Sequence, residues 1–199
     1  MSDPKKYGKP TCHFKVNLTK EEFYFLSSNF QHHGDWSQAI YLYYDTSHNQ
    51  DEAKLFLAKL RLRVRIKYGN YSLELKRQNH NHDDQKWEIS QPISAEEFRL
   101  MSQQIFPEGK IKDRLIELGF SHPLLWIGAA DTIRKKIHFH DGVLVLDQTT
   151  CCNKAETFYQ VEFRSNLETL PSKIKFIEEK LNILMRSYVS KEEEIWSSN

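Results

Sequence analysis

The stretch Leu60-Arg61-Leu62-Arg63-Val64-Arg65-Ile66-Lys67, followed by Tyr71-Ser72-Leu73-Glu74-Leu75-Lys76, decides the reading of this chain. Strand side chains alternate faces with a period of two. Leu60, Leu62, Val64 and Ile66 therefore share one face, and Arg61, Arg63, Arg65 and Lys67 share the other. A short turn at Tyr68-Gly69-Asn70 reverses the chain, after which Leu73 and Leu75 oppose Ser72, Glu74 and Lys76. The expected product is a hairpin with one apolar face and one dense row of cations. Guanidinium groups match phosphate oxygens in a two-pronged geometry, so the row suits a ligand with several close negative charges. A half-buried strand also commonly turns Lys and Arg to water alone. The other strands decide between these readings.

They repeat the arrangement with both signs of charge. Arg134, Lys136 and His138 alternate with Ile133, Lys135 and Ile137. Val143, Val145 and Asp147 alternate with Leu144 and Leu146. Gln160, Glu162 and Arg164 alternate with Tyr159, Val161 and Phe163. If the polar faces converge, they line a closed or cupped sheet with Arg, Lys, Glu and Asp. Buried unpaired charge costs about 3–5 kcal/mol, so such an interior needs water and a charged ligand. Cations there can hold phosphates and carboxylates a divalent metal.

Bulk properties narrow the class. The 199 residues suit one medium domain able to bury its own core, with 39% hydrophobic and 28% charged residues. A formal net charge of +1 argues against a whole-surface binder of nucleic acid or anionic membrane. Any basic site must be local. Cys12, Cys151 and Cys152 form no CxxC or finger spacing, which argues against a disulfide framework or structural zinc and points to the reducing cytoplasm. Residues 1–9 read as a flexible polar arm without the apolar centre of a secretion signal. The apolar run near Leu124–Ala130 is too short to span a bilayer.

Element by element, Cys12–Leu18 reads as a strand, and Thr19-Lys20-Glu21-Glu22 is a capping box opening a helix to about Phe30. Gln38–Asp45 is a strand, and Ser47–Phe56 turns helical toward its end. The cationic hairpin fills 59–77, with a loop over Gln78–Asp84 and a strand over Lys86–Gln91. Ser94-Ala95-Glu96-Glu97 is a second capping box, for a helix to about Ile105. Another helix, Lys110–Leu118, stops at Gly119. Asp141-Gly142 joins strands over Leu124–His140 and Val143–Gln148. Phe158–Arg164 is the last strand, and an amphipathic helix covers about 168–182. Strands joined as neighbours and interrupted by helices make an α+β fold with an antiparallel sheet, in one domain over 10–199.

Taken in order, Tyr43-Tyr44-Asp45-Thr46, Leu62-Arg63-Val64-Arg65, Leu73-Glu74-Leu75-Lys76, Glu88, Arg134, Leu144-Val145-Leu146-Asp147 and Gln160-Val161-Glu162 resemble the CYTH or triphosphate tunnel metalloenzyme family. That family includes class IV adenylyl cyclases, thiamine triphosphatases and inorganic triphosphatases. The resemblance covers roughly residues 11–191. It implies an antiparallel eight-stranded β-barrel-like tunnel with helices packed outside. It also implies phosphate binding by Lys15, Arg63, Arg65, Lys76 and Arg134, with Arg186 or Lys191 as a last cation. Glu88, Asp147 and Glu162 match the acidic set that holds metal, with Glu74 and His13 as further possibilities.

Departures bear on the chemistry. The family's first strand carries Glu-x-Glu-x-Lys, where this chain has Thr11-Cys12-His13-Phe14-Lys15. The later Glu-x-Glu is Gln160-Val161-Glu162. Mg²⁺ wants hard, charged oxygen ligands, so three lost carboxylates weaken a metal site severely. The expectation is one weakly held Mg²⁺ or Mn²⁺ ion. The resemblance implies binding of an inorganic, nucleoside or thiamine triphosphate and its metal-dependent hydrolysis. The lost acids keep open a non-catalytic polyphosphate or nucleotide binder acting as sensor or interaction module; a nucleotidyl cyclase is the remote alternative. Neither a membrane nor sequence-specific nucleic acid is an expected partner. The His80, His82, His138 and His140 set reads as solvated, the Cys151-Cys152 pair as inert beyond a strand end, and Trp36, Trp87, Trp126 and Trp196 as packing residues.

Overall fold

The structure, a computed structural model, describes residues 11–77, 87–120, 123–139, 142–152 and 156–166. The expected helix over 168–182, the loop from Gln78, Arg186, Lys191, Trp196, His80, His82, His140 and Asp141 lie outside the described residues.

Among those described, eight strands run β1 (Thr11–Leu18), β2 (Asp35–Asp45), β3 (Leu60–Lys67), β4 (Asn70–Arg77), β5 (Glu88–Ile93), β6 (Leu125–Phe139), β7 (Gly142–Cys151) and β8 (Glu156–Asn166). The helices are α1 (Lys20–Asn29), α2 (Lys54–Leu57), α3 (Ala95–Met101) and α4 (Lys110–Glu117), with a 3₁₀ turn at Gln50–Glu52. The strands bond in one sheet in the order β1-β8-β7-β6-β2-β3-β4-β5. This is the antiparallel α+β architecture expected. The chain forms two compact units, one centred on β1, α1, Ile133–Thr149 and most of β8, the other on Gln38–Thr132.

In the first unit, β1 and β8 pair with Lys15 opposite Glu162, Val16 opposite Val161 and Asn17 opposite Gln160. Val16, Ile137, Leu144, Leu146, Val161 and Phe163 form one apolar face, which takes Phe23 and Leu26 of α1. Helix α1 starts where the capping box places it: Glu22 N donates to Thr19 Oγ1 at 3.2 Å, and Thr19 N donates to Glu22 Oε2 at 2.7 Å. Its far end is held by Lys135, 1% exposed, whose Nζ donates to Phe30 O at 2.6 Å and Gln31 O at 3.3 Å. An ammonium there adds a charged donor to carbonyls at the negative end of the helix dipole. Gly34, at φ +74°, lies so close to β6 that a Cβ would sit 1.8 Å from Lys136 O.

In the second unit, Tyr68 and Gly69 both have positive φ, 52° and 74°, which makes a two-residue primed turn. Asn70, expected in the turn, is instead the first residue of β4. This turn sets Leu62 opposite Leu75, Arg63 opposite Glu74, Val64 opposite Leu73 and Arg65 opposite Ser72. Leu62, Val64, Leu73 and Leu75 are each 0–1% exposed and pack with Leu55 of α2, Met101 of α3, and Ile111 and Leu115 of α4. Each such side chain contributes about 1.5–3 kcal/mol on burial. Edge strand β5 continues the pattern, Ile89 beside Leu75 and Glu88 beside Lys76.

Two polar side chains tie helices to this layer. Asp45, 2% exposed at the end of β2, accepts from Leu55 N at 3.0 Å and Phe56 N at 2.8 Å, capping the short α2. Burial raises its pKa, opposed by backbone hydrogen bonds from Thr46, Leu55 and Phe56. Gln91 Nε2 donates to Glu108 O at 2.6 Å, which fixes the approach to α4.

Some expectations need correction. Helix α3 stops at Met101 rather than Ile105, because Gln104 turns left-handed (φ 62°) and Ile105 N bonds back to Leu100 O at 3.1 Å. Strand β7 runs on to Cys151, so that cysteine is a buried strand residue and not one beyond the strand end. Trp126 is 51% exposed and packs little.

Candidate functional site

The charged residues gather in two clusters, one in each unit, each on the sheet face opposite the apolar core. In the second unit, alternation puts Tyr41 and Tyr43 of β2, Arg61, Arg63 and Arg65 of β3, and Glu74 and Lys76 of β4 on one face. The register brings Tyr43 beside Arg63 and Tyr41 beside Arg65. Glu74, 1% exposed, is the centre. Arg63 Nε and Nη2 approach its Oε2 at 2.8 and 2.7 Å, Arg65 Nε its Oε1 at 3.2 Å, and Lys76 Nζ its Oε2 at 3.6 Å. Lys76 Nζ also reaches Glu88 Oε1 at 2.8 Å. The guanidinium of Arg63 lies 4.2 Å from the Tyr41 ring centroid, a cation–π contact that fixes its plane.

Burial alone would raise the Glu74 pKa, but Arg63, Lys76 and Arg65 outweigh it, and the carboxyl is held below the usual range. Burial lowers the Lys76 pKa, Arg63 adds to that, and Glu88 and Glu74 oppose it; the ammonium is held below the ordinary lysine range. Three cations thus surround one carboxylate, with a second acid at the edge. The cluster keeps a positive excess.

In the first unit, Arg134 of β6 grips Asp147 of β7 with two parallel bonds, Nε to Oδ1 and Nη2 to Oδ2, both 2.6 Å. Arg164 of β8 grips its strand neighbour Glu162 likewise, at 2.9 and 3.1 Å. Lys15 Nζ stands 3.9 Å from Glu162 Oε2. Asp147 and Glu162 are 6% and 5% exposed, so both carboxylates are largely withdrawn from water while their cationic partners stay partly exposed. Gln160, where the resemblance leads one to expect a glutamate, donates from Nε2 to Asn17 Oδ1 at 3.0 Å.

Within the second unit the structure brings Arg63, Arg65 and Lys76 together, with Glu74 and Glu88 among them; within the first it gathers Lys15, Arg134, Asp147 and Glu162. His13 pairs through its backbone with Arg164. The polar-face reading of the sequence includes Arg164 without a role, counts Tyr43 only within the motif Tyr43-Tyr44-Asp45-Thr46, and omits the buried Tyr41. The period-two pattern carries a signal for all three.

A metal fits this donor set poorly. Among the described residues no three His, Cys, Asp or Glu side chains come together as an ion would require. Glu74, Glu88, Asp147 and Glu162 each already carry one or more cationic side chains. A resident divalent ion needs several hard oxygens converging at about 2.0–2.6 Å, and these acids are instead spent on ammonium and guanidinium groups. Away from the clusters, the second unit holds an open cavity of about 740 Å³ lined by Thr46, Ser47, Asp51, Glu52, Lys54 and Leu57 among others. It contains none of the residues that the sequence assigns to phosphate.

The family model described as the CYTH domain matches residues 14–195. A search of curated proteins finds no match. Among solved structures, a candidate adenylate cyclase from Bacillus halodurans is 25% identical, with a TM-score of 0.77 over 92% of this chain and 95% of that one. A candidate adenylyl cyclase from Hippeastrum, described as revealing a dominant triphosphatase activity, is 17% identical, with a TM-score of 0.75 over 93% and 94%. A Pyrococcus horikoshii protein, 15% identical, follows at a TM-score of 0.54 over 96% and 100%. No helix among the described residues is long and apolar enough to cross a membrane.

Proposed function

The chain belongs to the CYTH domain family, and from that premise we propose that it binds a small-molecule triphosphate or polyphosphate through its clustered cations. One observation carries the reading: Arg63, Arg65 and Lys76 converge on a single carboxylate, and the cluster retains positive charge on a face turned from the apolar core. Guanidinium donors presented side by side take neighbouring phosphate oxygens as charge-assisted pairs. Lys15 and Arg134 supply the same chemistry in the other unit. Arg186 or Lys191 is a candidate for a further cation. The match over 14–195 supports one CYTH domain across 10–199 behind the arm 1–9, and the cysteine pattern supports a cytoplasmic setting.

Hydrolysis is the second reading. The family is generally dependent on a divalent metal, and the Hippeastrum relative's triphosphatase activity supports carrying that chemistry over. On this reading Glu88, Asp147 and Glu162 hold one Mg²⁺ or Mn²⁺ ion weakly, with Glu74 and His13 as further donors. Nucleotide cyclisation ranks behind it. A phosphate-release assay with inorganic triphosphate, thiamine triphosphate and nucleoside triphosphates, run with Mg²⁺ and with Mn²⁺ beside calorimetric binding, separates these readings. Binding without release supports a non-catalytic binder, release supports hydrolysis, and absence of binding to any of these ligands overturns the proposal.

A further inference from the structure

Every acid that could serve a metal in the two clusters is engaged as a counter-ion. Glu74 lies within 3.6 Å of three cationic side chains. Asp147 and Glu162 are each gripped by an arginine fork. Glu88 holds the Lys76 ammonium at 2.8 Å. Thr11, His13 and Gln160 stand where the resemblance leads one to expect further carboxylates. A divalent ion entering either cluster would have to displace a guanidinium from the carboxylate it grips, or sit beside it at close range. Both are unfavourable in a poorly hydrated site. A polyphosphate need not break the Arg63–Glu74 pair, because a guanidinium has five N–H donors and Arg63 spends only Nε and Nη2 on Glu74.

We propose that this chain takes its polyphosphate as the metal-free anion, with Glu74 acting as a built-in counter-ion for Arg63, Arg65 and Lys76 and not as a metal ligand. The inference rests on the phosphate-binding reading above and adds which ionic form of the ligand is bound. Its consequence has a definite sign. Mg²⁺ complexes free tripolyphosphate and withdraws it from a protein that prefers the bare anion. A metal-dependent site would instead be tightened by the same addition.

Calorimetric titration of the full chain with tripolyphosphate, first in EDTA and then in excess Mg²⁺, decides the matter. Binding should be undiminished in EDTA. Apparent affinity should fall about tenfold once free Mg²⁺ stands about tenfold above its own dissociation constant for tripolyphosphate. Glu74→Gln should bind at least as tightly in EDTA, since one repelling charge has gone. Affinity that rises with Mg²⁺ would overturn the proposal, as would enhanced water-proton relaxation by Mn²⁺ in the presence of both protein and tripolyphosphate. If Glu74→Gln does not fold, the wild-type Mg²⁺ series decides alone. Failure of the wild type to bind under either condition would overturn the phosphate-binding reading itself, and this proposal with it.

Discussion

Replacing Glu74 with Gln perturbs the second unit at its most highly charged point. The wild-type carboxylate receives Arg63 through two nitrogens at 2.7 and 2.8 Å and has Arg65 and Lys76 within 3.6 Å. Gln keeps the shape and one oxygen acceptor but removes the negative charge from among three cations. Breaking a buried pair by removing one partner costs about 3–5 kcal/mol, and the retained acceptor puts this variant near the lower end, about 3 kcal/mol. In a chain of this size that is a fall in melting temperature of about 6–12 °C. Urea denaturation at pH 7 and thermal scans of both proteins measure it. The pH dependence has a fixed sign. The folded-state pKa of Glu74 is lowered from its ordinary 4.5, so its stabilisation is present above 4.5 and is lost as pH falls below that value through the folded pKa. The gap between wild type and variant should therefore narrow with acidification. A loss below about 1 kcal/mol at pH 7 would refute the reasoning, by placing this cluster in the range of solvated surface pairs.

Three further outcomes follow from other parts of the chain. Lys135→Met should cost about 1.5–3 kcal/mol by removing a charged donor from the Phe30 and Gln31 carbonyls just past α1; faster amide exchange in α1 than elsewhere in the unit checks it. Gly34→Ala forces a Cβ to 1.8 Å from Lys136 O at a left-handed backbone angle, and should destabilise the protein by about 3 kcal/mol in urea denaturation. Thr11→Glu combined with His13→Glu, opposite Asn166 and Arg164 in register, should raise Mn²⁺ affinity about tenfold by adding hard anionic ligands; paramagnetic relaxation reads it directly.

The hairpin is legible because the faces of its first strand are extreme, unbroken leucine, valine and isoleucine against unbroken arginine and lysine. A single register then satisfies both the core and the solvent. The starts of α1 and α3 were legible from their capping boxes, whose two reciprocal bonds need only residues three apart. The Arg63–Glu74 pair follows once the turn is taken as two residues, Tyr68 and Gly69, and the expected three-residue turn hid it. The Lys15–Glu162 approach depends on pairing of the first strand with the last described one, and nothing local encodes that register. Lys135 reads as an anomaly on an apolar face, because its partners are carbonyls more than a hundred residues away. The end of α3 was overestimated because Ser102, Gln103 and Gln104 carry no helix-breaking residue, although Gln104 adopts the left-handed conformation. Metal-binding acids were chosen by resemblance, which ranks positions but does not show that each carboxylate already has a cation beside it.

The central claim is that the clustered cations grip phosphate and do not merely face water. The measurement that tests it most directly is titration of tripolyphosphate into wild type and Arg63→Ala at two ionic strengths. Loss of one charge-assisted contact of about 1.5–3 kcal/mol predicts affinity lower by roughly tenfold to a hundredfold in the variant, with wild-type binding weakening as salt rises. Equal affinity in the two proteins would contradict the account.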